Sequence, residues 1–169
     1  MTHRFLGLSA YAVRSGADAI LFTCSAFGPC IEACAAAHSD IRVLKPNEAM
    51  IEEAEALGGM IGLLATFAPT LASMPSEFPH GVKLQTCLAE GALAALDRGD
   101  VAEHGRIAVE SSRKLAGCNA IALAQFSLAR VAAAVAQATG LRVLTTPDCA
   151  VRKLRRIMLG EHYGADHAI

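Results

Sequence analysis

The chain has 169 residues and 17.6 kDa, with a formal net charge of -1 and a pI near 6.6. A chain of this length buries about 70% of its unfolded surface, and 53% hydrophobic against 18% charged residues excludes intrinsic disorder. The near-neutral balance excludes a global field that would draw the protein to DNA, RNA or an anionic membrane, so the expected partner is a small molecule.

Residues 1–16 read as a lone helix, whose apolar stretch at 5–13 is short for a secretory signal core. Next comes Ala17-Asp18-Ala19-Ile20-Leu21-Phe22-Thr23-Cys24-Ser25, a polar step followed by a short apolar run that ends in polar residues, as a buried strand does. An Ala-rich helix is expected over 30–37, a second strand at Ile41-Arg42-Val43-Leu44, and a helix opening at Pro46-Asn47-Glu48-Ala49. The longest uncharged stretch, 58–74, contains Gly58, Gly59, Gly62 and Pro69, and therefore reads as strand, turn and helix start, not as a membrane span. Strands are expected at 60–67 and 82–88, and helices at 69–73, 88–97 and 100–115.

The opening pattern then returns. Cys118-Asn119-Ala120-Ile121-Ala122-Leu123-Ala124-Gln125-Phe126-Ser127 matches the first run, followed by a helix over 128–138, a strand at Leu141-Arg142-Val143-Leu144 and a helix opening at Pro147-Asp148-Cys149-Ala150. A βαβα unit thus occurs at 17–57 and again at 118–159. The expected fold is α/β, with two pseudo-symmetric lobes of parallel sheet flanked by helices that face each other across a cleft. Residues 1–46, completed by 147–169, are expected to form the first lobe and 47–146 the second. The six cysteines form no disulfide framework and no CxxC pair, which points to a reducing cytoplasm.

Ligands of parallel sheets bind beyond the carboxyl ends of the strands. The residues expected there are Thr23, Cys24 and Ser25; Thr66 and Phe67; Thr86 and Cys87; Gln125, Phe126 and Ser127; and Thr145 and Thr146. A Cys between a strand end and a helix start meets backbone N–H groups and the positive end of the helix dipole, both of which favour thiolate, and Cys24 has that position. The same position also suits a small buried residue, which free Cys often is. Thr23, Ser25, Thr66, Thr86, Gln125 and Ser127 are the candidate carboxylate or enolate binders.

Other clusters read more plainly. Cys30 and Cys34 share a helix face at a spacing that matches no common metal-ligand pattern, so packing is expected. His162 and His167 lie in a polar tail. The basic run of Arg152, Lys153, Arg155 and Arg156 complements the dipole toward a helix C-terminus. Gly58, Gly59 and Gly62 do not make a dinucleotide fingerprint.

The run from Ala17 to Ser25, the helix after it, Pro46-Asn47-Glu48-Ala49-Met50 and Ile61-Gly62-Leu63-Leu64-Ala65-Thr66 resemble the aspartate/glutamate/hydantoin racemase superfamily, especially its hydantoin-racemase-like branch. The resemblance covers most of the chain. It implies a site in the cleft between two lobes, with one Cys thiol removing a Cα proton from a carboxylate or hydantoin and a second reprotonating the opposite face, without a cofactor or metal. Cys24 matches the first thiol. The second falls at Gln125, whose amide cannot exchange a proton with carbon near neutral pH, so Cys149 or Cys87 is the candidate for a compensating thiol. The implied function is a cofactor-independent amino-acid or hydantoin racemase-like enzyme. The alternatives are a single-Cys decarboxylase, a maleate-isomerase-like enzyme with Cys24 as nucleophile, or a non-catalytic small-carboxylate-binding protein. The family's first strand-helix unit has no counterpart in residues 1–16, so an upstream segment or a partner chain is expected to complete the first lobe. A homodimer is expected, with no nucleic-acid or membrane partner.

Overall fold

The computed structural model describes residues 1–24 and 27–160. In chain order the elements are α1 (Thr2–Arg14), β1 (Ala19–Leu21), α2 (Gly28–Ala37), β2 (Arg42–Leu44), α3 (Glu48–Leu57), β3 (Met60–Ala65), α4 (Ala68–Ser73), β4 (Lys83–Leu88), α5 (Ala92–Asp97), α6 (Val101–Ser112), β5 (Ala120–Leu123), α7 (Ala132–Thr139), β6 (Arg142–Thr145) and α8 (Thr146–Leu159). Short 3-10 turns span Met74–Glu77, Arg113–Leu115 and Phe126–Val131. No helix among the described residues is long and apolar enough to cross a membrane.

The strands form two parallel sheets, β1-β2 and β4-β3-β5-β6. The repeat seen in the sequence is a structural one. β1-α2-β2-α3 and β5-α7-β6-α8 follow the same order, and their strands pair in the same register, Ala19 against Arg42 and Ala120 against Arg142. β3 and β5, the centre of the larger sheet, are continuous apolar runs because both their faces are covered. The edge strand β4 instead exposes Lys83, Gln85 and Thr86.

Alternation along the central strands sorts the core onto two faces. Ile61, Leu63, Ala65, Ala120, Ala122 and Ala124 meet Ala49, Met50, Ile51 and Ala54 of α3. Leu64, Ile121 and Leu123 face the opposite way, toward Ala92, Ala108, Leu128 and Val135 of the other helical layer. Gly62 belongs to this second face, where a Cβ would lie 3.0 Å from Leu115, so the helical layer needs a residue without a side chain there. In the smaller lobe α1 packs on α2 and β1. The interface contains the ring pair Phe5–Phe22 and a hydrogen bond at 3.1 Å between His38 Nε2 and Ser9 Oγ.

Several expected boundaries move for local reasons. β3 stops at Ala65, because the next N–H, that of Thr66, donates to the Gln125 side chain. The helix expected from 128 begins as the 3-10 turn Phe126–Val131 and becomes α-helical at Ala132. The helix expected over 100–115 is α-helical from Val101 to Ser112 and tightens into 3-10 geometry over Arg113–Leu115. α8, expected to complete the first lobe, packs on α3 and β6. The tail with His162 and His167 lies outside the described residues.

Gly59 has φ +75°, and a Cβ built on it would lie 2.2 Å from Oδ1 of Asn119, which accepts the Met60 N–H at 2.8 Å. Gly59→Ala therefore combines left-handed strain with loss of that hydrogen bond and is expected to lower stability by about 2 kcal/mol or more. Gly7→Ala, in a helix with nothing within 4 Å, is expected to be neutral or to stabilise by up to about 1 kcal/mol. Urea unfolding midpoints of the two variants check both.

Candidate functional site

The parallel pairing of β1 and β2 continues for one residue beyond β1, where the Phe22 N–H donates to Leu44 O at 3.2 Å. The chain then leaves the sheet, and Thr23 and Cys24 are exposed. Both ends of this loop are held by one ring. Phe5 of α1 stacks on Phe22 at 5.4 Å and tilts against Phe27 at 5.1 Å, contacts that anchor the loop from before Thr23 to just ahead of α2. Cys24 is exposed, whereas Cys30, Cys34, Cys87, Cys118 and Cys149 are all buried. The reading of Cys24 as a small buried residue does not hold. Ser25 lies outside the described residues.

At the carboxyl ends of β3 and β5, Thr66 and Gln125 form a locked pair. The Thr66 N–H and Oγ–H both donate to Gln125 Oε1, at 2.6 and 2.9 Å. Thr66 is buried, while Gln125 and Ser127 are half-buried, Ser127 lying in the 3-10 turn after β5. Buried Asn47 donates through Nδ2 to Glu77 Oε2 at 3.1 Å, tying the start of α3 to the turn before β4. The aromatic clamp and these side-chain locks were not foreseen. Nothing local in the sequence says which rings meet.

Other expected members are placed elsewhere. Thr86 lies within β4, opposite Leu63, because β4 runs on to Leu88; it is on the sheet edge and not at a strand end. Thr145 caps α8, donating to Asp148 Oδ2 at 2.6 Å and accepting the Asp148 N–H at 3.1 Å. Thr146 is buried against Leu123 O and Met50. The Cys87 thiol donates to Ser111 O at 3.4 Å inside the core, and burial pushes its pKa up. Cys118 is also buried, with its thiol toward Gln85 Oε1 at 3.6 Å. Cys30 and Cys34 form the inner face of α2, as packing requires.

Cys149, the candidate for a compensating thiol, sits in the α3–α8 interface. Arg152 donates to its Sγ at 3.2 Å, and Arg152 also forks onto both carboxylate oxygens of Glu53, at 3.2 and 2.9 Å. Lys153 pairs with Glu48 and with Glu52 at 2.6 Å. Arg152 and Lys153, read from the sequence as complements of the helix dipole, instead pair with the acidic face of the equivalent helix of the other repeat. Burial, reinforced by the negative charge of Glu53, pushes Cys149 up to about 12. A thiol so held stays protonated near neutral pH, and it is fully buried.

Two outcomes follow from the different states of the thiols. Iodoacetamide applied to the native protein is expected to alkylate Cys24 and spare the five buried cysteines, and mass mapping after digestion reads this directly. Cys149 is protonated to a higher pH in the folded chain than in the unfolded one, where thiols ionise near about 8.5. The stabilisation is therefore complete below that value and is lost as pH rises toward the folded value, with a slope approaching about 1.4 kcal/mol per pH unit for this proton. Cys149→Ala should flatten the fall in urea stability on going from about pH 7 to about pH 10.

Comparison with known proteins agrees with this fold. The family model for Asp/Glu/hydantoin racemase matches residues 4–154. No curated protein sequence matches the chain. Among solved structures the fold is similar to allantoin racemase from Klebsiella pneumoniae, at 16% identity and TM-score 0.71, covering 99% of this chain and 74% of that one. It is similar to arylmalonate decarboxylase at 15% identity and TM-score 0.66, covering 97% and 78%. It is also similar to glutamate racemase from Francisella tularensis subsp. tularensis SCHU S4, solved with D-glutamate, at 12% identity and TM-score 0.63, covering 95% of this chain. This chain spans 65% of that glutamate racemase's length. The family match spans all six strands of the two parallel sheets, and the chain belongs to the Asp/Glu/hydantoin racemase family.

Proposed function

We propose that the protein transfers a proton at a carbon next to a carboxylate or carbonyl, in the manner of an amino-acid or hydantoin racemase, with Cys24 as the acid/base thiol. The observation that carries this reading is the placement of Cys24. It is the one exposed thiol among the described residues, just past the carboxyl end of β1 and ahead of α2, in a loop anchored at both ends by Phe5. The thiolate takes the Cα proton, the electron pair of the C–H bond moves onto the adjacent carbonyl oxygen as an enolate, and the returning proton comes from the thiol. Thr23, Ser25, Thr66, Gln125 and Ser127 supply the polar surroundings, and no cofactor enters the scheme. The substrate is a small carboxylate or hydantoin.

A second reading is favoured by one residue. Gln125 stands where a second acid would be needed for inversion, and an amide does not donate a proton to carbon near neutral pH. Loss of CO₂ from an activated carboxylate leaves an enolate that needs only a single proton donor, so single-thiol decarboxylation suits the asymmetry of the site.

Proton NMR in D₂O distinguishes these. Amino acids, 5-substituted hydantoins, arylmalonates and maleate are incubated with the protein and with Cys24→Ala, following Cα–H loss, carboxylate loss and the optical purity of the product. The expected result is exchange or decarboxylation that falls by about 100-fold or more in Cys24→Ala. Retention of configuration would identify one-base chemistry, and racemisation a second donor. Activity unchanged in Cys24→Ala, or no turnover of any member of the panel, would overturn the proposal.

A further inference from the structure

Cys24 lies on a stretch of chain that the sheet and the following helix leave weakly secured. β1 is three residues long and pairs with β2 on one side, and the ladder ends where the Phe22 N–H meets Leu44 O. α2 starts at Phe27 without a side-chain cap, whereas Thr145 caps the start of α8 in the second repeat. The residues before and after the thiol, Phe22 and Phe27, correspond in the second repeat to Leu123 and Leu128, which are fully buried in one core cluster. Phe22 and Phe27 are only half-buried, and the contact they share is the ring of Phe5 on α1, 5.4 Å from one and 5.1 Å from the other. α1 is itself tied down on either side of that ring. Toward its start, Thr2 Oγ1 lies 3.5 Å from the thiol of Cys30 in the first turn of α2. One turn beyond Phe5, buried Ser9 gives its hydroxyl proton to Leu6 O at 3.0 Å, so its oxygen accepts from His38 Nε2 at the end of α2. Thr2, Phe5 and Ser9 follow one face of the helix.

We infer that Phe5 is a positioning residue for the Cys24 thiol, and that α1 acts through this ring to set where the thiol stands. This rests on the reading of Cys24 as the acid/base group. Phe5 does not touch the reacting atoms; it fixes the chain immediately before Thr23 and immediately ahead of α2. Ring pairs prefer particular stacked and tilted arrangements, so two of them on one ring restrain direction as well as distance. An aliphatic side chain fills the same space without that preference. Removing a proton from carbon requires the base to be held in a near-attack geometry, and a misplacement of about 1 Å can cost about 100-fold in rate. In the second repeat the burial of Leu123 and Leu128 performs this fixing. In the first repeat a helix that precedes the strand performs it instead, and the thiol can stay exposed while its backbone is held.

The test reads backbone order at the thiol and turnover separately. ¹⁵N relaxation of the Thr23 and Cys24 amides is measured in the wild type, Phe5→Leu, Phe5→Tyr, Phe27→Leu and Ser9→Ala, with a urea midpoint for each. The wild-type amides are expected to have order parameters of about 0.85, and those of Phe5→Leu to fall below about 0.6. Phe5→Tyr keeps the ring and should keep the order. Ser9→Ala costs the same helix its bond to His38 but leaves the ring contacts, so its urea midpoint should fall while Cys24 stays ordered. Phe27→Leu removes only the anchor ahead of α2; it should loosen Cys24, leave Phe22 ordered, and decide the matter where Phe5→Leu does not fold. In the D₂O exchange assay Phe5→Leu should lower kcat by about ten-fold or more with little change in KM, and Phe5→Tyr should restore it. A Cys24 amide already disordered in the wild type, unchanged order in the folded Phe5 or Phe27 variant, or an equal loss of order in Ser9→Ala would each overturn the inference. The catalytic proposal fails separately. If Phe5→Leu loosens Cys24 but no substrate exchanges its proton, the clamp stands and the chemistry falls. If exchange requires Cys24 while Phe5→Leu turns over at the wild-type rate, the chemistry stands and the positioning role falls.

Discussion

The parallel pairing of β3 with β5 is the constraint on which the rest of the molecule is arranged. Register places Leu64 opposite Leu123, and the ladder continues through the Ala124 N–H onto Leu64 O at 2.9 Å. One residue later the backbone partner is replaced by a side chain, with Gln125 Oε1 taking the Thr66 N–H. The sheet thus ends in a side-chain lock at the edge where parallel strands present their carboxyl ends. Because both strands are buried on both faces, slipping the register by one would exchange Leu64 and Leu123 with Leu63 and Ala122, and the core could not accept this. The position and orientation of Gln125 follow from that core.

A second interface joins the repeats. α3 and α8 are equivalent helices of the two βαβα units, and they pack on each other over the face of the larger sheet. Ala120, Ala122 and Ala124 keep the strand surface low enough for α3 to settle on it. At the outer edge, acidic Glu48, Glu52 and Glu53 meet basic Arg152 and Lys153. Partly exposed pairs of this kind contribute little singly, but the Arg152 fork is geometrically specific and sets the rotation of one helix on the other. Cys149 is enclosed in this contact, which is why a thiol that begins a helix at a strand end is buried and held protonated here.

The two halves consequently differ in chemistry while sharing a backbone plan. In the first repeat the strand end carries an exposed thiol on a loop clamped by Phe5. In the second, the equivalent strand end carries an amide whose oxygen is engaged by Thr66. A site built from these two would be asymmetric, with a thiol on one side and an amide on the other.

Much of this could be read from residue order alone. The doubled βαβα pattern, the strands at Ala19–Leu21, Arg42–Leu44, Ala120–Leu123 and Arg142–Thr145, and the α/β class all follow from short apolar runs alternating with Ala-rich helical stretches, a local signal that needs no distant contact. The family resemblance was legible in the same segments, as was the position of Cys24 just beyond a strand. What the residues could not show was which partner each polar group would find. Thr86 and Thr146 look equivalent to Thr66 in sequence, yet Thr86 sits within an edge strand and Thr146 points into the core. Gln125 and Thr66 are distant in sequence and meet only through sheet register, and the charges of α8 find α3 only once both helices lie on one face. Local periodicity determined the elements and their order, because hydrophobic burial selects for it residue by residue. Tertiary packing alone decided which side chains are exposed, locked or silenced, because hydrogen-bond partners and burial depend on residues brought together from far along the chain.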